Sequence, residues 1–352
     1  MMKILHISNF VQKQKGRLYW NHCFKINNGF IRNGHNLCLF SDRDMSRMNR
    51  LNKLNNNNSL NKELLSTFRN FDPDIVVLGH ADKIHNRTLH EFKSIKKDIK
   101  IIEWNVDNYY LDNTENKFIK RTDLIDAFFI TNADESIKSC LNDSNSISFF
   151  PNIFDSSIEQ LRIFENNSFE YDIFYALSYG VGSGRIRTNK SDYDREVYLD
   201  FIKNEYPEIK TNFFGYDNIQ PVWGAQFERE ISRSPISLNL SRKPHLKYYS
   251  SDRISQYLGN GSCIFVDKNS QLEDLFTDDE VIFFENDDLD DFGKKISYYI
   301  SNQNEVRRIA KNGWERGHKF YNEKIITNYF LEIAFKNKPE SDYGWPIHQY
   351  FK

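Results

Sequence analysis

Short apolar runs alternate with amphipathic stretches along almost the whole chain, and this alternation constrains the fold more than any other feature. It is the pattern of a parallel β-sheet covered by helices. The alternation begins again at Tyr171, so the sequence predicts an α/β protein with two doubly wound, Rossmann-like domains. In the first half, strands are predicted over residues 3–7, 36–41, 75–79, 101–104, 127–131 and 147–150.

The length of 352 residues also favours two domains, because a single hydrophobic core stops growing at about 250–300 residues. We place the first domain over residues 1–155 and the second over residues 171–320. The polar stretch from Asp155 to Glu170 is interpreted as the linker between them, and residues 321–352 form a C-terminal helix and tail.

The charge of the chain argues against nucleic-acid binding. Its 47 basic and 49 acidic residues almost balance, so no global field attracts a polyanion. The four cysteines show no CxxC spacing, which indicates reduced core residues and a cytoplasmic location. No segment approaches the ~20 apolar residues of a spanning helix. We therefore expect a soluble cytoplasmic protein, and peripheral association with the inner face of the membrane stays open.

The segment from Phe213 to Phe276 has the features of an anion site. A predicted strand over 236–240 is followed by a basic loop with Arg242 and Lys247, and the run Ser251-Asp252-Arg253 then opens a helix. Helix N-termini present unpaired N–H groups and a positive dipole end, and an arginine adds a planar fork of donors. The segment predicts a phosphate site, and a nucleotide is the leading ligand.

A glycine-rich loop follows the first strand of the second domain. Gly180, Gly182 and Gly184 occupy alternate positions, and Arg185 and Lys190 come shortly after them. Glycines permit close backbone approach, and the cations add donors, so the loop is suited to holding an anion. Its spacing is neither that of a Walker loop nor that of a dinucleotide fingerprint, and a plain surface loop is the alternative interpretation.

Two residues of the first domain are candidates for acid-base chemistry. Asp107 comes shortly after the strand that ends at Trp104, and His80 follows strand 75–79 directly. A carboxylate at this edge of a sheet can accept a proton, orient a substrate, or only cap a helix. His6, His22 and His35 are further bases by residue type alone. No cluster of His, Asp and Glu has the spacing of metal ligands, so no metal site is predicted.

The second half resembles GT-B glycosyltransferases, most closely the group-1-like branch that includes the spore-maturation CgeB-type enzymes. The resemblance covers roughly residues 171–329 and depends on four elements, which here are Leu238-Asn239, Arg253, Gly261 and Leu272-Glu273-Asp274-Leu275-Phe276. It implies two Rossmann-like domains that face a cleft, and a C-terminal helix that packs back toward the first domain. Spore-maturation-type relatives also often show a Trp-x-x-Asp pattern, which here is Trp104 to Asp107.

The resemblance implies a metal-independent enzyme that moves a sugar from a nucleotide-activated donor to a hydroxyl of a glycan or glycolipid, in bacterial polysaccharide or glycoconjugate biosynthesis. The nucleotide-sugar is the substrate, and no separate cofactor is expected. Arg253 would stabilise the leaving diphosphate, and Asp107 or His80 would deprotonate the acceptor. The nucleotide would be held by Gly182, Gly184, Arg185, Lys190, Arg242, Lys247, Ser251, Gln256 and Glu273.

One position departs from the family pattern. Many relatives carry a glutamate three residues after the arginine, where its carboxylate accepts hydrogen bonds from the donor ribose, whereas this chain has Gln256. An amide oxygen can still accept such bonds. Gln256 therefore keeps open the alternative of a non-catalytic GT-B-like glycan-binding or scaffold protein. The cationic loop would also suit a second alternative, a transferase for a CMP-activated acidic sugar. Whether the reaction inverts or retains the anomeric configuration is not decided by the sequence.

Overall fold

The computed structural model describes residues 1–10, 16–48, 56–107, 119–177, 193–240, 246–285 and 288–352. The chain divides into two compact units. Unit 1 comprises Met1–Ile153 together with Asn322–Lys352, and unit 2 comprises Phe154–Tyr321. Each unit contains its own β-sheet.

The described part of unit 1 contains a seven-stranded sheet in the order β12-β6-β5-β4-β3-β1-β2. The strands are parallel except β12, which pairs with β6 in the antiparallel sense. Buried, nearly continuous apolar runs form the central strands, as expected of a parallel sheet that is covered on both faces. The strands are β1 (Lys3–Ser8), β2 (Asn36–Ser41), β3 (Ile75–Gly79), β4 (Lys100–Asn105), β5 (Ala127–Ile130), β6 (Ser146–Phe149) and β12 (Gln349–Tyr350).

The α-helices described in unit 1 are α1 (His22–Arg32), α2 (Asp42–Met48), α3 (Asn56–Phe71), α4 (Asn86–Ile95) and α10 (Glu323–Lys336). Helix α10 comes from the C-terminal segment and packs against α1. The close approach needs a glycine, because a Cβ at Gly29 would overlap the backbone carbonyl of Glu323 and the side chain of Thr327. Arg32 at the end of α1 also donates to Glu323 at 2.6 Å.

The described part of unit 2 contains a five-stranded parallel sheet in the order β11-β10-β9-β7-β8. Its strands are β7 (Ile173–Ala176), β8 (Thr211–Phe214), β9 (Ile236–Asn239), β10 (Cys263–Asp267) and β11 (Ile282–Phe284). Its α-helices are α5 (Tyr193–Glu205), α6 (Ala225–Ile231), α7 (Arg253–Gly259), α8 (Leu289–Ser301) and α9 (Gln303–Phe320). The predicted α/β class with parallel sheets is confirmed.

The boundary between the units differs from the one expected. The stretch from Asp155 to Glu170 is not a linker, because most of its apolar side chains belong to the core of unit 2. Ile158 and Ile163 are almost fully buried, and the ring of Phe164 lies against that of Trp314 on α9. The unit therefore begins at Phe154, the first residue after the short connection over residues 150–153 that follows β6.

Candidate active site

The two candidate bases of unit 1, His80 and Asp107, follow the carboxyl ends of two neighbouring strands. β3 and β4 are parallel with Gly79 opposite Trp104, so the residues that follow them emerge at the same edge of the sheet. There His80 Nδ1 lies 3.6 Å from Asp107 Oδ2. The side chains are 23% and 35% exposed. Both candidates from the sequence are thus brought together at an edge where a substrate can reach them.

The local backbone holds both residues in defined positions. His80 has a φ of 50°, a left-handed conformation that is uncommon for a residue other than glycine. Its ring meets the Trp104 indole edge to face, at 5.5 Å between centroids. The Asp107 backbone N–H donates to Asn105 Oδ1 at 2.7 Å. Backbone strain of this kind persists only where the surrounding structure enforces it, and it concentrates at functional sites.

A buried ion pair supports the loop that carries His80. Arg121 Nη1 donates to Glu103 Oε1 at 3.1 Å, and Arg121 Nη2 donates to the carbonyls of Ala81 and Ile84. Burial raises the pKa of Glu103, and the Arg121 guanidinium opposes that rise. This pair is not visible in the sequence, because Arg121 and Glu103 are 18 positions apart and lie in no recognisable motif.

The three other histidines that the sequence offered as bases make structural contacts instead. His6 is fully buried, and burial lowers its pKa to about 4, although a hydrogen bond with Asn27 acts in the opposite direction. His22 Nε2 accepts the backbone N–H of Ile153, and His35 Nδ1 accepts that of Met2. Met2 and His35 lie at the amino ends of β1 and β2, the edge opposite to His80. These three residues are not placed to act as the acceptor base.

Arg253 lies at the carboxyl end of the unit 2 sheet. It is the first residue of α7, and its Nη2 donates at 2.7 Å to the carbonyl of Leu240, the residue after β9. The guanidinium lies 5.6 Å from the centre of the Tyr175 ring on β7. Its Nε has no hydrogen-bond partner in the described part of the chain. Although burial opposes the charge, the hydroxyls of Tyr175 and Tyr257 favour it, and the pKa of Arg253 is raised.

A second cation of unit 2 is buried, although no sequence motif indicates it. Arg195 on α5 is only 6% exposed. Burial raises the pKa of the Tyr257 hydroxyl, and both Arg253 and Arg195 oppose that rise, so both guanidinium groups lie within electrostatic reach of one oxygen. That oxygen accepts the backbone N–H of Ala176, the last residue of β7. Both arginines therefore act electrostatically on a hydroxyl that lies at the carboxyl end of β7.

The helix at Arg253 is shorter than the sequence suggested. It begins at Arg253 rather than Ser251 and has seven residues, and its N-cap Asp252 makes no side-chain capping bond. A helix of two turns contributes a weak dipole, so positive charge here comes from the arginines rather than from the helix end. Ser251 and Gln256 are partly buried beside Arg253, and the Lys247 ammonium lies over the ring of its neighbour Tyr248.

The remaining residues predicted to bind the nucleotide fall into two groups. Glu273 lies in the 3₁₀ helix Leu272–Asp274 and is exposed. The others lie outside the described residues: Gly182, Gly184, Arg185, Lys190 and Arg242.

Within the described ranges, no group of three or more His, Cys, Asp or Glu side chains is arranged to hold a metal ion. No helix in the same ranges is both long and apolar enough to cross a membrane.

Residues 189–330 match the family model described as glycosyl transferase-like. No curated protein matches the chain in sequence. The narrower resemblance to the spore-maturation-type branch stays a prediction.

Several solved structures have the same fold as this chain. HepE of Anabaena in complex with UDP and glucose gives a TM-score of 0.55 and 11% identity, over 94% of this chain and 99% of HepE. Sucrose-phosphate synthase of Thermosynechococcus elongatus gives 0.55 and 8% identity, over 96% and 99%. OtsA in its apo form gives 0.60 and 10%, over 96% and 100%. The chain therefore has the GT-B fold, and its residues 189–330 match the glycosyl transferase-like family model.

Proposed function

We propose that this protein is a glycosyltransferase that moves a sugar from a nucleoside-diphosphate donor to a hydroxyl group of a glycan or glycolipid. Unit 2 binds the donor through its cationic edge, and unit 1 activates the acceptor through His80 and Asp107. The match of residues 189–330 to the glycosyl transferase-like family supports the reaction class. The structural similarity to HepE, which is described in complex with UDP-glucose, supports the donor class.

The observation that carries the proposal is the environment of Arg253. A guanidinium that donates to Leu240 through Nη2 is held in one orientation, and its Nε remains without a partner among the described residues. A planar fork with donors to spare suits a diphosphate, whose oxygens accept paired N–H bonds. Arg195, which is buried, adds a second charge that acts electrostatically on the same Tyr257 hydroxyl. Ligands of doubly wound sheets bind at this edge.

The proposed reaction exchanges one C–O bond for another. The bond between the anomeric carbon and the diphosphate oxygen breaks, and that oxygen leaves with both electrons, stabilised by Arg253. A bond forms between the anomeric carbon and the acceptor oxygen, whose proton passes to Asp107 or His80. Fixed cations aimed at a developing negative charge stabilise such a transition state, and a removed donor typically costs 10²–10³ in rate. A positioned base contributes about 10²–10⁴.

Two alternative functions are kept, the first because Gln256 replaces the family glutamate and the second because a cationic site also suits another donor. A degenerate GT-B protein that only binds a glycan or a partner would have no need of the glutamate that many relatives carry at this position. A transferase for a CMP-activated acidic sugar would use the same cationic edge. We propose a metal-independent enzyme of bacterial polysaccharide or glycoconjugate synthesis, in the cytoplasm or at the inner face of the membrane, because the arginines supply the positive charge that a metal provides elsewhere.

The test is a thermal-shift screen against UDP-, GDP-, ADP-, TDP- and CMP-sugars, followed by an assay for release of the free nucleotide. The proposal expects a rise in melting temperature with one nucleoside-diphosphate sugar, and nucleotide release that increases when a hydroxyl acceptor is added. A response to CMP-sugars alone would favour the acidic-sugar transferase. If no donor shifts the melting temperature or releases nucleotide, the enzyme proposal fails.

A further inference from the structure

A chain of buried hydrogen bonds leads from α1 to the Trp104 indole, which lies against the ring of the candidate base His80. The Trp104 indole Nε1 donates to His6 Nε2 at 3.1 Å, and His6 Nδ1 lies 2.6 Å from Asn27 Oδ1. The three side chains are at most 3% exposed. They belong to β4, β1 and α1, so the chain of bonds joins three elements beneath the edge where His80 and Asp107 lie.

The chemistry of the three groups sets the direction of both bonds. An indole N–H is only a donor, so His6 Nε2 must be the acceptor and its hydrogen must be on Nδ1. His6 Nδ1–H then donates to the Asn27 carbonyl oxygen. Because burial keeps the imidazole neutral at physiological pH, this arrangement has one protonation state and one tautomer. The hydrogen bond to His6 therefore holds the Trp104 indole in a single orientation.

The Trp104 indole also contacts the end of β3, the strand that His80 follows. Gly79 lies opposite Trp104 in the register of β3 and β4, and a Cβ at Gly79 would overlap the indole ring. The next residue, His80, places its ring against the indole at an interplanar angle of 85°. A shift of the indole must therefore move Gly79 or the His80 ring, since close-packed interiors have no room to absorb it.

We propose that His6 is a positioning residue, which holds the Trp104 indole in the orientation that keeps His80 directed at Asp107. Asn27 has the same role one step further away, because it fixes the tautomer of His6. The inference depends on the proposed function only in assigning the His80–Asp107 pair to the acceptor. The positioning itself is a property of the folded protein and can be measured without a substrate.

The test compares His6→Leu, which removes the acceptor of the indole N–H, with His6→Gln, whose amide oxygen can still accept it. NMR resonances of the His80 imidazole and of the Trp104 indole N–H report the positions directly. We expect His6→Leu to shift both sets of resonances and to lower kcat for transfer about tenfold with the Kd for the donor nucleotide unchanged. His6→Gln is expected to keep both sets of resonances and kcat close to their wild-type values.

His22→Leu is the matched control, because it also removes a buried histidine that accepts a hydrogen bond, here from the Ile153 N–H. It should lower the melting temperature and leave the His80 resonances in place. If His6→Leu does not fold, Trp104→Phe interrupts the same bond from the donor side. The inference is overturned if either variant folds with wild-type His80 resonances. An absence of glycosyl transfer in the wild type would overturn the proposed function and leave this result intact.

Discussion

Arg253 Nη2 lies 2.7 Å from the carbonyl oxygen of Leu240, a bond that joins the start of α7 to the end of β9. One face of the guanidinium lies against the Tyr175 ring, and Nε lacks a partner in the described structure. The side chain is therefore both a structural tie and an available donor. This double role determines what its removal should do.

Arg253→Ala is expected to lower the rate of transfer by at least about a hundredfold, because the leaving diphosphate loses a charged donor worth ~3 kcal/mol. It should also lower the free energy of unfolding by about 1 kcal/mol through loss of the bond to Leu240. Single-turnover kinetics and urea unfolding measure the two effects separately.

The control for this variant is Arg308→Ala, which removes an arginine of unit 2 that is 45% exposed and paired with Asp279 and Glu305. It should leave turnover unchanged. Wild-type turnover in purified Arg253→Ala would show that the arginine is only structural.

His80 and Asp107 are expected to act as one catalytic unit. Asp107→Asn and His80→Gln should each lower transfer about 10²- to 10⁴-fold, because neither replacement can serve as a base at neutral pH. The double variant should be little worse than the poorer single variant, since groups that act together show non-additive losses. Nucleotide affinity, measured by calorimetry, should stay at the wild-type value in all three.

His90→Gln provides the comparison, because His90 is an exposed histidine on α4 in the same unit. It should have wild-type kinetics. Losses that multiply in the double variant would mean that the two residues act independently, and a loss of nucleotide affinity in Asp107→Asn would reverse the assignment of donor and acceptor to the units.

Strands were the part of the fold that the sequence predicted best. The predicted strands over 36–41 and 75–79 have the bounds of β2 and β3, because short apolar runs between polar segments are visible in the sequence itself. The segment after Phe154 was misjudged for the opposite reason. Ile158, Ile163 and Phe164 are spaced among polar residues, and only contact with distant elements such as α9 makes them core residues.

The candidate site likewise contains residues that could be identified from the sequence and residues that could not. His80 and Asp107 could be selected because each follows a predicted strand, and the ends of adjacent parallel strands share one edge. Arg195 could not be selected, because nothing in its local sequence indicates that it is buried or near Tyr257. The support of Trp104 by His6 was hidden for a similar reason, since the two residues are 98 positions apart.

Gln256→Glu is expected to strengthen binding of the donor nucleotide about five- to tenfold. Gln256 is partly buried one turn after Arg253, and a carboxylate there would make charge-assisted hydrogen bonds, which are roughly twice as strong as neutral ones. Calorimetry with the nucleotide identified by the thermal-shift screen measures the change. Gln226→Glu, an exposed position on α6, is the control for added charge. Unchanged or weaker binding would show that residue 256 does not contact the ribose.

Transfer is expected to continue in the presence of EDTA. The proposed mechanism assigns stabilisation of the leaving diphosphate to Arg253 and Arg195, both of which keep their charge at any physiological pH. Initial rates are compared before and after dialysis against the chelator. Activity that disappears and returns only with Mg²⁺ or Mn²⁺ would reveal a metal requirement that the proposal does not contain.

The stability of the protein should decrease on acidification in a window set by His6. Its pKa is lowered from 6.5 to about 4 by burial, so between these values the unfolded chain binds a proton that the folded chain does not. Stability is therefore complete above pH 6.5 and falls by about 3 kcal/mol as the pH approaches 4. In urea unfolding, His6→Gln should lack this part of the pH dependence, whereas His90→Gln should retain it. Equal slopes for His6→Gln and the wild type between pH 6.5 and 5 would contradict the assignment.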